Sequence, residues 1–302
     1  MRKLFLIIFL SVFFLGNSQT YIQVLGVAQD GGYPHLGCQS NCCNMAWKND
    51  SLKRFVVSLA LVDPATKSWW LFEATPDIKE QLQYFKTLTR GEYNYLPNGI
   101  FITHAHIGHY TGLMQLGREV FNTKEVPVYA LPKLKSFLET NGPWSQLVSL
   151  KNISIIELKP DSILKLNSNI TIQAFKVPHR DEYSETAGFK IISNKKYLFI
   201  PDIDKWEKWD RKIVKEVESV DYAFIDATFN DINELKGRKI SEVPHPFVSE
   251  TIQLFEKENS SIKSKVVFIH FNHTNPLMWD RETQNKIKDS GYKVAEQGKH
   301  FD

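Results

Sequence analysis

Cysteine is almost absent from this 302-residue chain: only Cys38, Cys42 and Cys43 occur, all within six residues. So small a set excludes a framework of several disulfides, and adjacent Cys42 and Cys43 fit poorly into one compact bridge arrangement. One disulfide with a spare thiol stays open. So does a structural zinc held by three thiolates and one further ligand, which the clustering favours. A surplus of charge is lacking too, since 37 basic against 34 acidic residues leave +3. Without a basic cluster, no nucleic-acid surface is expected. No repeat or low-complexity stretch interrupts the chain, so a single domain over residues 20–302 is expected, long enough to bury a sizeable core.

What is present begins at the N-terminus. Arg2 and Lys3 precede apolar runs at Leu4–Leu10 and Val12–Leu15, and Gly16-Asn17-Ser18-Gln19 follows. Positive charge, a short apolar core and small residues read as a secretory signal peptide over residues 1–19. The core is too short to span a membrane comfortably, and no cysteine stands at the cleavage point to take a lipid. The expected mature protein is exported, to the periplasm or the extracellular space, without a stable membrane anchor.

Apolar patterning predicts early strands at Tyr21–Ala28, Leu52–Asp63, Lys67–Ala74, Val126–Ala130 and Ile153–Leu158. Further strands are expected at Ile170–Val177, twice within 189–200, at Val220–Ile225, at Lys265–Phe271 and near Val294. Helices are expected from Thr75-Pro76-Asp77 with proline in the first turn, and over Pro132–Thr140, Phe247–Glu258 and Arg281–Asp289. Another includes Tyr110–Leu116, and the cysteines fall in a glycine-rich loop after Gln29-Asp30-Gly31-Gly32. Strands dominate early and then alternate with helices, which points to α/β layers.

The chemistry concentrates at strand ends. His104, His106 and His109, three of only nine histidines, directly follow the apolar run Ile100-Phe101-Ile102. Residues 104 and 106 can converge from a turn past a strand, and neutral imidazole is the commonest zinc ligand. Five apolar runs end in a potential ligand: His104 with His106, His179, Asp202, Asp226 and His270. A rigid sheet would hold such ends in fixed geometry, so together they suggest one metal site. His245 lies between Pro244 and Pro246, which would hold it stiffly as a general acid or as a structural loop residue. Asp226 would either orient it or cap buried backbone.

Thr103-His-Ala-His-Ile-Gly-His109 resembles the His-x-His-x-Asp-His signature of the metallo-β-lactamase superfamily, with Gly108 in place of the Asp. The resemblance implies an α/β, four-layer αββα sandwich. It also implies that His104, His106 and His179 form a first metal site, that Asp202 bridges, and that His109 and His270 complete a second. The absent Asp is a second-site ligand in that signature, and Asp204 is the candidate to replace it. Two branches are similar. Cyclic phosphodiesterases of phosphonate metabolism pair their active site with a structural zinc, which here implies Cys38, Cys42, Cys43 and His273; the cysteine spacing departs from Cys-x-Cys-x-x-Cys. In them a histidine at the place of His245 binds or protonates the leaving group. The B proteins of pyrroloquinoline quinone biosynthesis resemble Leu25–Pro34, His109–Leu113, Pro201–Ile203 and Asn272–Pro276.

The expected activity is that of an exported metal-dependent hydrolase, in which metal-activated water attacks a phosphodiester or ester-like bond of a small-molecule substrate. Asp202 and His245 are its candidate catalytic residues. One or two zinc ions are expected in the active site and one in the structural site; iron or manganese are alternatives in the active site. Two other readings stay open: an oxidative enzyme with non-haem iron, like the quinone-biosynthesis relatives, and a non-catalytic metal-stabilised binding protein. The sequence does not specify the oligomeric state.

Overall fold

The computed structural model describes residues 19–235 and 243–302, so the expected signal peptide lies outside the described residues except for Gln19. The first strands are β1 (Tyr21–Gly26), β2 (Ser58–Asp63), β3 (Ser68–Phe72), β4 (Ile100–Phe101), β5 (Val126–Ala130), β6 (Ile153–Glu157) and β7 (Ile163–Lys165). They continue with β8 (Thr171–Val177), β9 (Thr186–Ile192), β10 (Lys196–Ile200), β11 (Tyr222–Asp226), β12 (Val266–Ile269), β13 (Lys293–Val294) and β14 (His300–Phe301). The helices are α1 (Asn41–Lys48), α2 (Ile78–Leu88), α3 (Ile107–Tyr110), α4 (Pro132–Thr140), α5 (Trp144–Ser149), α6 (Ile213–Glu218), α7 (Val248–Leu254), α8 (Ser260–Lys263) and α9 (Arg281–Asp289).

Two seven-stranded mixed sheets result, in the orders β14-β1-β2-β3-β4-β5-β6 and β13-β12-β11-β10-β9-β8-β7. Side-chain alternation sorts residues to the two faces of the first sheet. Ile22, Val24, Leu59, Leu61, Trp70 and Phe72 face the core shared with Phe175, Phe189, Phe199 and Phe224 of the second sheet. Their neighbours Ala60, Val62, Trp69 and Leu71 instead meet Ile78, Leu82 and Phe85 of α2 and Leu134 and Leu138 of α4. Residues of α6, α7 and α9, including Ile213, Val217, Val248 and Ile287, pack into the core that holds the second sheet. This is the α/β sandwich of four layers that the resemblance implied. Phe72 stacks on Phe101 at 4.9 Å and meets Phe189 edge-on at 5.4 Å; each pair adds about 0.5–1.5 kcal/mol beyond area burial. Those rings lock the sheets together beneath the strand ends that carry the polar residues.

The structure corrects several expectations. The helix after Thr75 begins at Ile78 with Asp77 as its N-cap, so Pro76 precedes the helix. The Asp77 carboxylate takes the Val56 N–H from the neighbouring segment instead of capping its own helix. Tyr110–Leu116 is not one helix: α3 stops at Tyr110 and a 3-10 turn covers Thr111–Leu116. There the Gly112 N–H bonds to the Ala74 carbonyl, which ties the turn to a strand end. Cys42 and Cys43 lie on α1, after Ser40 at its N-cap, and not in a loop. Among the described residues no helix is long and apolar enough to cross a membrane.

Candidate metal centre

Parallel pairing sets the site. β3 and β4 run parallel, as do β10, β11 and β12, so their C-terminal ends emerge on shared rims. Glu73 follows β3, His104 follows β4, Asp202 follows β10, Asp226 ends β11, and His270 follows β12. His179 follows β8, His106 is the N-cap of α3, and His109 lies within that helix. Glu73 and His270 adopt left-handed backbone, with φ of 72° and 68°. Such strain in non-glycine residues is retained where side-chain aim matters.

The sequence-predicted active-site residues converge. His104 Nε2 lies 2.8 Å from His106 Nδ1, and His106 Nδ1 lies 3.3 Å from His179 Nε2. Asp202 Oδ1 stands 3.2 Å from His179 Nε2, and its Oδ2 stands 3.5 Å from both His104 Nε2 and His109 Nε2 and 3.8 Å from His270 Nε2. One carboxylate therefore faces both histidine groups.

Proton accounting shows what this arrangement requires. The Thr228 hydroxyl donates to Asp226 Oδ1 at 2.7 Å, so towards His270 Nδ1, at 3.0 Å, it can only accept. His270 thus carries its proton on Nδ1 and presents a bare Nε2. Elsewhere the outward nitrogens behave alike: His104 Nδ1 meets Thr103 Oγ1 at 2.9 Å, and His106 Nε2 meets Glu182 at 3.2 Å. His109 Nδ1 faces Glu73 at 3.4 Å, and His179 Nδ1 faces Asp204 at 3.4 Å. The accepting Thr228 hydroxyl and the nearby carboxylates favour inward lone pairs on His270, His106, His109 and His179, the orientation that metal-binding histidines take. Acceptor nitrogens crowded this closely repel unless a proton or cation lies among them. His109 Nε2, His270 Nε2 and Asp202 Oδ1 are buried with no hydrogen-bond partner. Such orphaned acceptors fit a cation, so these donors could hold metal.

The buried charges perturb one another strongly. Burial would raise the Asp202 carboxyl, but His179, His270 and His245 carry it well below the usual range. Burial, then the neighbouring His109, holds His104 well below the usual imidazole range. His109 goes the other way: burial opposes its charge, yet Glu73, Asp202 and Asp30 raise it well above that range. His245 donates through Nδ1 to Asp226 at 2.9 Å and lies 3.2 Å from Asp202. Against the cost of burial, those two carboxylates push it up to about 10. Asp226 both orients His245 and caps buried backbone, since it also accepts the N–H groups of Ile203 and Thr228.

Asp204 does not fill in for the missing carboxylate at 108. It lies behind His179, on the outward Nδ1, and pairs with Lys208 at 2.9 Å. Asp30 reaches the second group instead, with Oδ1 3.3 Å from His109 Nε2. Asp30, Glu73, Thr228 and Glu182 are site residues that sequence reasoning missed. For Glu73 the signal existed, since it closes the apolar run Trp69–Phe72.

The cysteine cluster forms a second centre. Cys38 and Cys42 Sγ are 3.9 Å apart, Cys42 and Cys43 Sγ 4.0 Å, and His273 Nδ1 lies 3.8 Å from Cys42 and 3.5 Å from Cys43. No disulfide joins them. Ligand bonds of about 2.3 Å for sulfur and about 2.0 Å for nitrogen give tetrahedral edges of about 3.8 Å (S–S) and about 3.5 Å (S–N). The observed edges match, so four donors that the sequence scatters over residues 38–273 fit one tetrahedral ion. His35 closes over it, stacking on His273 at 4.5 Å.

Known proteins resemble this chain over most of its length. The coenzyme PQQ synthesis protein B of Methylococcus capsulatus is 25% identical over 307 residues, covering 92% of this chain and 98% of that protein. One from Pseudomonas putida is 27% identical over the same shares of both chains. Among solved structures, zinc-bound PqqB from Methylobacterium extorquens superposes with a TM-score of 0.75 at 20% identity, over 93% of this chain and 99% of the other. A diphosphatase of the PhnP family does so with a TM-score of 0.69 at 19% identity, over 94% and 96%. These structural likenesses carry the fold alone. The model of the β-lactamase superfamily domain matches residues 68–271, which hold the strand ends from Phe72 to His270, and the chain belongs to that family.

Proposed function

We propose that this protein is a metal-dependent hydrolase that cleaves a phosphodiester or another ester-like bond in a small molecule, with zinc at two adjacent active-site positions and at the cysteine cluster. The observation that carries the reading is Asp202, a buried carboxylate within 3.2–3.8 Å of His104, His179, His109 and His270. His104, His106 and His179 would hold one ion, His109 and His270 the other, and Asp202 both. Cys38, Cys42, Cys43 and His273 would hold the structural ion. When bound, zinc supplies Lewis acidity, which activates water as a nucleophile and offsets charge developing on the ester.

The chain's own groups do the rest. Glu182, Glu73 and Asp204 face the outward nitrogens of His106, His109 and His179 and favour the binding tautomer, while the Thr103 hydroxyl meets His104 Nδ1. Asp226 holds His245 by Nδ1, which leaves Nε2 as the nitrogen that passes a proton to the leaving oxygen. Export is part of the proposal, supported by Arg2, Lys3 and the apolar run that follows. The near full-length similarity to coenzyme PQQ synthesis protein B favours one second reading, an oxidative enzyme with iron in the same ligand set.

Elemental analysis of wild type and His106→Ala, with hydrolysis of bis(para-nitrophenyl) phosphate, tests both readings. The expected result is about three zinc ions per chain, with active-site zinc weakened and hydrolysis lost in the variant. Iron bound with no hydrolysis would shift the assignment to the oxidative reading. Zinc content and hydrolysis unaffected by His106→Ala would overturn the active-site assignment.

A further inference from the structure

Gly108 is where the superfamily signature carries a carboxylate, and its surroundings are not open space. A Cβ on residue 108 would lie 2.2 Å from Asp30 Oδ1, 3.0 Å from Asp30 Cγ and 2.6 Å from Asp30 Cα. The carboxyl group of Asp30 therefore occupies the volume that a side chain at 108 would need. It arrives from a different segment, the loop after β1, and points the same way: its Oδ1 lies 3.3 Å from His109 Nε2.

Three atoms meet there without a hydrogen-bond partner. Asp30 Oδ1, His109 Nε2 and His270 Nε2 are each buried and unsatisfied, and donor atoms of these three residues lie within 4.8 Å of one another. Leaving such groups unpaired in the interior is costly, and a shared cation would remove that cost. The loop is also fastened to the strand that delivers His270. Gln29 N–H donates to the Phe271 carbonyl at 2.8 Å, Phe271 N–H donates to the Val27 carbonyl at 2.8 Å, and the Asn272 amide donates to Gln29 Oε1 at 2.9 Å. Asp30 and His270 are thus held at a fixed separation by backbone bonds beside both residues.

We propose that Asp30 is a ligand of the second active-site metal, supplying from the loop after β1 the carboxylate that position 108 lacks. Gly108 is then glycine for a steric reason, because the relocated ligand fills its side-chain space. The backbone of residue 30 crowds the same space, with its Cα 2.6 Å from that Cβ. The competing role for Asp30 is a plain ion pair with a charged His109, which needs no metal.

The inference rests on the two-metal reading above, and the experiment separates the two. Zinc content and chelator competition are measured on purified wild type, Asp30→Ala and Asp30→Asn. Asp30→Ala is expected to lose one zinc per chain, with second-site affinity at least about 100-fold weaker, the upper end of what losing a partner of a ligand costs. It keeps the His104-side ion and the cysteine-bound ion, and that retention shows the chain has folded. Asp30→Asn, which preserves shape, weakens the same ion. Full zinc content with unchanged affinity in Asp30→Ala and Asp30→Asn would overturn the role of Asp30 and leave the two-metal reading standing. A wild type holding a single active-site ion would overturn both.

Discussion

Replacing Gly112 with alanine is expected to damage the metal centre without altering any donor atom. The Gly112 N–H donates to the Ala74 carbonyl at 2.8 Å, and the Ala74 N–H donates to the His109 carbonyl at 2.8 Å. These bonds clamp α3 and its following turn to the end of β3. A Cβ on residue 112 would lie 2.0 Å from the Thr75 carbonyl oxygen and 2.8 Å from that of Ala74, where real contacts essentially never fall below 3.0 Å. Backbone stands on both sides, so the turn and the strand end must part by about 1 Å in a close-packed interior. Both hydrogen bonds are lost at about 1 kcal/mol each, and overpacking adds about 1–3 kcal/mol. The total, about 3–5 kcal/mol, is a large part of a typical folding free energy of about 5–15 kcal/mol. His109 moves with α3, away from Glu73 and the second-site donors. Urea unfolding followed by tryptophan fluorescence reads the stability, and chelator competition reads the metal. The expected variant unfolds at lower urea and releases second-site metal first, while the cysteine-bound ion stays. A wild-type midpoint with a full metal complement would refute the steric reasoning.

Glu73→Gln removes the charge facing His109 Nδ1 at 3.4 Å; second-site affinity is expected to fall about 10–100-fold, and a competition titration showing no change would contradict it. Cys43→Ser is expected to lose one ion per chain and to lower the thermal midpoint, because binding energy at a structural site is folding energy. After chelation the wild type should titrate as three free thiols; a single reactive thiol would mean that a disulfide forms instead. Burial pushes the Glu234 carboxyl up from 4.5 to about 7. The folded state then binds the proton more tightly, so stability is complete below about pH 4.5 and declines as pH rises through about 7. Glu234→Gln keeps an acceptor for Thr274 and is expected to be more stable than wild type by roughly 1–2 kcal/mol at about pH 8, after allowing for partial exposure, with the gap closing at about pH 4.5. Equal urea midpoints for the two proteins at about pH 8 would count against it.

Much of the site was legible because strand ends are rigid and the ligand types are few. His104, His106, His109, His179, Asp202 and His270 converge as their positions after apolar runs implied. Val126–Ala130, Pro132–Thr140 and Arg281–Asp289 also emerge with the expected bounds, each being a strongly patterned segment with a clear start or stop. The misses have physical causes. Glu73 was absorbed into the strand read as Lys67–Ala74, but its left-handed backbone ends that strand and turns the side chain to His109. Asp30 looked like a turn residue next to two glycines, and only the space around Gly108 reveals its place. α1 buries just Cys43 and Ala46, too narrow an apolar face for periodicity to show. β14 has two residues and exists through its pairing with β1, a contact no local pattern encodes.

That pairing joins Ile22 to Phe301 and Gln23 to His300, and it bears on the order in which the protein assembles. Strands β1 to β6 complete most of one sheet before residue 158, whereas the opposing sheet comes from residues 163–294. While a ribosome is still making the second half, Ile22, Val24, Leu59, Leu61, Trp70 and Phe72 have nothing to cover them. The half-made chain carries His104 and His106 but has yet to receive His179, Glu182 and Asp202, the partners that hold them. Contacts this distant in sequence form late and slowly, and exposed sheet faces are prone to misassembly. Metal capture through Asp202 therefore comes after the halves have docked, and a chaperone that shields the early sheet would raise the yield of loaded protein more than added zinc would.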